Sequence, residues 1–228
     1  ENLLKIKKNP FLIELLNYEK NKDEETILKI NGYKDKNDDI YIKAATLNEV
    51  KNKIGINDIH FDSNYRLINF GNINLDYTDK DKQKNLINIK RKKENYILDG
   101  IYINADNLVE KILFEDSDNS FLNKNFNIDI KIENVRLDNE FLLRDFNGNL
   151  YFKKGKLSKG NLNGKFSDNK EMNYTVNTKE NKKITTLFID YARPIVKRYK
   201  FVKGFDGGVL DFYSSKVGNV SNSTLKIY

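Results

Sequence analysis

The feature that most constrains this chain is a two-residue hydrophobic rhythm repeated along most of its length. Thr26–Ile30, Ile40–Ala44, Ile73–Tyr77 and Leu86–Lys90 each set apolar side chains to one side and polar ones to the other. The clearest case is Phe126-Asn-Ile-Asp-Ile-Lys-Ile132, where Phe126, Ile128, Ile130 and Ile132 share one face. Neighbouring side chains of a strand point to opposite faces, so the pattern demands a sheet with one apolar and one wetted face. The strands recur about every 10 to 15 residues between Asn, Asp, Gly and Lys turns, the spacing of an antiparallel meander. Turns are predicted at Asn31-Gly32, Asp99-Gly100 and Asn147-Gly148. Past Ile132 the apolar phase moves to Val135 and Leu137, which predicts a bulge near Asn134. From Phe141 to Phe166 recurring glycines predict long strands joined by tight turns.

Three stretches break the rhythm. Ala105–Phe114 sets Leu108, Val109, Ile112 and Leu113 on one helical face. In Tyr191–Tyr199, Pro194 suits a first helical turn, with Ile195, Val196 and Tyr199 turned inward. Leu47–Lys53 reads as a third short helix. The predicted class is therefore mainly β: a long curved antiparallel sheet, an open groove or taco, with two or three short helices.

With 228 residues the chain has length for one large β domain, with a possible sub-boundary at 91–95. Its apolar fraction of 39% and mean hydropathy of −0.69 suit a sheet with one wet face. Asn, Lys and Ile abound, as AT-rich coding would produce, so single Asn or Lys residues carry little meaning. The net charge of +7 is spread through the chain; the densest basic run, Lys90-Arg-Lys-Lys93, reads as a solvated turn in preference to a phosphate site. Without cysteine there is no disulfide, thiolate metal site or cysteine nucleophile. No apolar run nears the roughly 20 residues that span a bilayer. The chain starts Glu1-Asn-Leu without Met and stops within a strand, so it is expected to be a piece of a longer protein.

Catalytic chemistry needs a constellation, and none is visible. His60, the single histidine, alternates with apolar neighbours in Asp58–Asp62 and reads as a strand side chain. Asp116–Ser120 opens like a calcium loop but lacks the later Gly and Glu. Gly204 and Gly207-Gly208 lead into a strand and lack the Lys-Ser/Thr of a phosphate loop. No enzyme activity, cofactor or metal is expected. Nor does a concentrated aromatic and basic face point to nucleic acid.

One stretch is idiosyncratic. Leu187-Phe-Ile-Asp-Tyr-Ala192, Tyr199-Lys-Phe-Val-Lys-Gly-Phe-Asp-Gly-Gly-Val-Leu-Asp-Phe212 and Ser223–Ile227, preceded by Gly148–Phe152 and Ile97–Leu108, resemble the AsmA-like superfamily in its large YhdP-type branch. The resemblance covers about Tyr96 to Tyr228 and rests on the order of elements; Tyr191-Ala192 departs from the family's Ala-Gly corner. It implies an inner-membrane-anchored protein projecting through the bacterial periplasm. Its apolar β-groove would conduct phospholipid towards the outer membrane, as part of cell-envelope biogenesis. Asp190, Gly204, Phe205, Gly207 and Gly208 would then be structural corner residues, with Tyr199, Phe201 and Phe205 plugging one end of the hollow.

On that reading Phe126, Ile128, Ile130, Ile132, Leu150, Phe152, Leu210 and Phe212 line the lipid track. An alternating strand does not declare whether its apolar face meets lipid or protein. A closed core in a non-catalytic structural or adhesion scaffold that binds protein partners is the alternative.

Overall fold

The computed structural model describes residues 2–6, 12–20, 24–108, 122, 124–197 and 207–228. Seventeen strands account for most of them. The first half contributes β1 (Asn2–Ile6), β2 (Leu12–Ile13), β3 (Tyr18–Glu19), β4 (Thr26–Lys34), β5 (Ile40–Asn48), β6 (Lys53–Phe61), β7 (Leu67–Asn69), β8 (Ile73–Thr78), β9 (Lys84–Lys92) and β10 (Asn95–Asn104). The second contributes β11 (Phe126–Arg136), β12 (Leu142–Lys153), β13 (Lys156–Lys165), β14 (Glu171–Lys179), β15 (Lys182–Ile189), β16 (Leu210–Val217) and β17 (Val220–Ile227). Apart from the β2–β3 hairpin they form one open 15-stranded sheet, running β1-β4-β5-β6-β8-β9-β10-β11-β12-β13-β14-β15-β16-β17 with β7 alongside β6. The mainly β, open-sheet expectation holds.

The meander is not wholly antiparallel. β10 and β11 pair parallel, Tyr96 opposite Ile128 and Leu98 opposite Ile130. Parallel neighbours need a crossover that returns the chain to the starting end. It leaves through Ala105 and Leu108, in the larger core cluster, and re-enters at Leu122, in the smaller one. Both ends of the connection therefore lie on the apolar face. Stretch 91–95 is a hairpin turn between β9 and β10, so the sheet passes through it unbroken.

All three expected Gly turns lie inside strands: Asn31-Gly32 in β4, Asp99-Gly100 in β10 and Asn147-Gly148 in β12. At the first two the ladder register shifts close by. At Gly148 (φ 154°) a Cβ would stand 2.0 Å from the Asn161 carbonyl oxygen. Glycine there admits a close approach of neighbouring backbones. The tight turns fall at Lys154-Gly155 (φ 51° and 73°) and Glu180-Asn181 (φ 51° and 63°). Positive φ at both central residues is what a right-twisted hairpin asks of a two-residue loop.

The phase change beyond Ile132 is present, but its bulge is not at Asn134. β11 and β12 stay in register through it, with Ile132 opposite Phe146 and Val135 opposite Leu143. The irregularity sits on the partner strand, where Asp145 has φ 51° and the β12–β13 register slips between Arg144 and Asn147.

Helix is sparse. Leu47–Lys53 is not helical: Leu47 is a buried residue within β5, which ends at Asn48, Lys53 starts β6, and the Glu49 amide donates to the Asn52 carbonyl to close the turn. A 3-10 turn spans Glu14–Leu16, helix begins at Asp106, and one helical turn spans Arg193–Val196 with Pro194 in its first positions. Val196 is buried and Ile195 packs against the core, as expected, and Pro194 is buried with them. Val109, Ile112, Leu113, Asp116–Ser120, Tyr199, Phe201, Gly204 and Phe205 lie outside the described residues.

Candidate functional site

The ladders join the apolar positions of separate strands into rows that cross the sheet. One row runs Ile30, Ala45, Ile56, Ile73, Ile89, Leu98, Ile130, Gly148, Leu162, Tyr174, Leu187, Phe212, Leu225, each residue the direct partner of the next. Every strand on the path from β4 to β17 contributes to it. Its members are mostly partly buried; the outermost, Ile30 and Leu225, are 36% and 50% exposed.

A second row lies two residues along each strand: Leu28, Leu47, Ile54, Leu75, Ile87, Gly100, Ile132, Phe146, and beyond the β12 bulge Gly164, Met172, Ile189, Leu210, Ile227. This one is the core. Ile189 is fully buried, Leu210 is 1% exposed and Ile87 2%. The sheet thus has a sealed seam flanked by a less buried stripe of equally apolar character.

All eight residues expected to line a track fall on this face. Ile130 and Phe212 belong to the stripe, and Ile132 and Leu210 to the seam. Ile128 pairs with Leu150 in the next row. Phe126 and Phe152 stack at 4.6 Å, and Tyr96 meets Phe126 edge-on at 5.7 Å. Phe126 is 5% exposed and packed with Phe70, Tyr96 and Leu122, so it belongs to a local core. An open depression of about 460 Å³ over β11–β12 is lined by Ile130, Ile132 and Gly148 together with Lys131, Glu133, Asp145 and Asn147.

The two ends of the sheet differ. At the end bearing the helical turns, Asp79, Asn85 and Asn104 are buried and mutually satisfied. Asp79 Oδ2 accepts from the side-chain amides of Asn85 (3.2 Å) and Asn104 (2.9 Å), while Asn85 Oδ1 accepts from the Asn104 backbone amide at 2.7 Å. The Tyr77 hydroxyl donates to the Leu16 carbonyl at 2.7 Å, and burial pushes its ionisation well above the ordinary range. Burial alone would raise the Asp138 carboxyl. The Lys197 ammonium at 2.6 Å, with the amides of Glu140 and Phe141, outweighs it and holds Asp138 below the usual carboxylate range. Phe141, Phe166 and Tyr191 pack their rings together beside it. Asp190 ties the corner to β14: its Oδ2 accepts the Glu171 amide at 2.7 Å, and its own amide donates to the Glu171 carbonyl. The carbonyl of Gly208 (φ 89°) accepts the Ala192 amide, and among the described residues no atom lies within 4 Å of where a Cβ of Gly207 would stand.

At the opposite end, the turns from β9 to β16 carry Lys92 and Lys93, Lys153 and Lys154, Lys156, Lys179 and Lys182, against Glu94 and Glu180. This basic rim is invisible to a count of charges along the chain, because the strands gather it from three separate hairpin turns. Arg91 turns back into the sheet, donating to Asn69 Oδ1 and to the Lys93 carbonyl.

His60 is a strand residue, as expected. Its Nε2 lies 2.8 Å from Asp39 Oδ2, and its ring stacks on Tyr41, which stacks on Tyr33. Among the described residues no cluster of His, Asp and Glu could hold a metal ion, and no helix is long and apolar enough to cross a membrane. No protein-family model, curated protein or solved structure matches this chain.

Proposed function

We propose that this chain is a lipid-binding β-groove segment that holds acyl chains along the stripe from Ile56 to Phe212. The observation that carries the reading is the unbroken cross-strand stripe, apolar at every strand from β4 to β17 yet less buried than the seam beside it. An acyl chain asks for continuous apolar surface and little else, since its transfer from water is worth roughly 25 cal/mol per Å². Partly covered Leu, Ile and Phe supply such surface without any directional bond. The row runs perpendicular to the strands, so a ligand lying along it meets the same chemistry at each step and can slide.

On this reading the protein conducts phospholipid and performs no reaction. Together with the AsmA-like resemblance, it supports a location on the periplasmic face of the bacterial inner membrane. The basic rim suits an approach to anionic headgroups, each lysine near such a surface contributing about 1 kcal/mol.

The test is direct. The chain is purified without detergent, extracted with organic solvent and analysed for lipid by mass spectrometry, alongside photo-crosslinking residues placed at Ile130, Phe152 and Phe212. Co-purified phospholipid, with acyl-chain adducts at Ile130 and Phe212, is the expected result. A lipid-free protein with no adducts at any of the three positions sinks the reading. A scaffold role has one specific observation in its favour: β17 is exposed along nearly its whole length and offers a free edge for strand addition.

A further inference from the structure

We propose that the inner face of β14–β16 contains a phosphate-binding site built on Lys183 and Lys216. These two lysines are direct cross-strand partners in the β15–β16 ladder. Period-2 alternation without a register shift places them on the apolar face, after Ile189, Leu187 and Thr185 on one strand and Leu210, Phe212 and Ser214 on the other.

Like charges directly opposite on adjacent strands repel and destabilise the pair. Lys183 is partly buried and Lys216 exposed to water, and among the described residues neither has a carboxylate within ion-pair distance. Burial, and then the charge of Lys216, hold the Lys183 ammonium below the ordinary lysine range. Beside Lys183 on β14, the hydroxyl oxygen of Thr178 is buried without a partner. A buried hydroxyl left unpaired is destabilising, because its lost hydration is not replaced. Two facing cations and an orphaned hydroxyl form an arrangement that an oxyanion completes: it neutralises the pair and offers oxygens to the hydroxyl.

The neighbouring row explains which oxyanion fits. Thr185 and Ser214 lie opposite each other one step inward, Ser214 accepting from Ser223 at 2.9 Å. Next comes the apolar stripe, Tyr174, Leu187 and Phe212. Along β15 and β16 the face therefore reads cation, hydroxyl, hydrocarbon, with buried Val176 of β14 beside the hydroxyl step. That is the order of groups in a phosphate-bearing amphiphile: phosphate, polar linker, acyl chain. The phosphate site stands on its own geometry; a lipid as the source of the phosphate rests on the function proposed above.

Three probes separate the sources: inorganic phosphate, dihexanoyl phosphatidic acid, and dihexanoylglycerol, which has the same chains and no phosphate. Lysine side-chain NMR on the wild-type chain reads occupancy without any substitution, and the Lys183→Gln/Lys216→Gln variant reads affinity. That variant removes the repulsion and is expected to melt no lower than wild type. Phosphatidic acid and phosphate should both shift the Lys183 and Lys216 signals. The double variant should bind phosphatidic acid about a hundredfold more weakly, about tenfold for each charged hydrogen bond lost, with dihexanoylglycerol unaffected.

Phosphate binding without either lipid would keep the site and overturn the lipid reading. Phosphatidic acid bound equally by wild type and variant would overturn the site and keep the groove. Lysine signals unmoved by every probe would also overturn the site.

Discussion

Leu210 and Phe212 are two residues apart on β16, on one face of one strand, and differ in what covers them. Leu210 is 1% exposed within the seam, against Ile189 on one side and Ile227 on the other. Phe212 is partly buried in the stripe, between Leu187 and Leu225, the latter half exposed. Replacing each with Asp separates a groove from a core. At Leu210 the carboxylate has neither water nor a partner, and a buried unpaired charge costs several kcal/mol on top of about 3 kcal/mol of lost packing. Against a total stability of about 5–15 kcal/mol that abolishes cooperative folding. At Phe212 the carboxylate reaches water across the open side of the stripe. The cost is then mainly the lost transfer of a partly covered ring, about 2 kcal/mol, which lowers the melting temperature by roughly 4–8 °C in a chain of this length. Urea denaturation followed by circular dichroism measures both, and lipid extraction is repeated on whichever variant folds. The expected outcome is an unfolded Leu210→Asp and a folded, lipid-free Phe212→Asp. If Phe212→Asp unfolds as completely as Leu210→Asp, the stripe is sealed like the seam and the groove argument is wrong.

Other changes test the frame around the groove. Gly148→Ala forces a Cβ against the Asn161 carbonyl and should cost at least about 2 kcal/mol, read as a lowered urea midpoint. Asp79→Ala leaves the buried side-chain amides of Asn85 and Asn104 short of an acceptor and should cost about 2–3 kcal/mol by the same measurement. Asp138→Asn should destabilise at neutral pH. Because the folded-state carboxyl is held below its unfolded value, its contribution is present above the ordinary carboxylate pKa and fades as pH falls through the lowered one; the gap between wild type and variant should close over that acid window. Lys183 has the same slope at the alkaline end of the scale, but there the charged form is the one that costs stability. Its ammonium is held low in the fold, so wild type should gain stability relative to Lys183→Gln as pH rises from that lowered value towards the unfolded lysine range.

Much of this molecule follows from its own alternation. Phe126–Ile132 had to be a strand with one apolar face, because no other regular structure puts those four side chains together. Pro194 marked a helical turn for reasons local to the chain. What alternation leaves open is which strand lies beside which, and in what register, since a pattern of period two is the same against any neighbour and a one-residue slip exchanges its faces. The ladders decided that Asn147-Gly148 is the interior of β12 and not a turn, that Asp145 and not Asn134 carries the bulge, and that β10 and β11 run parallel. They also set Ile130 in line with Phe212, and Lys183 against Lys216. Strand spacing in the sequence encodes none of these alignments. They exist because hydrogen bonding between backbones far apart in the chain fixes one register, and that register alone turns separate apolar positions into a stripe.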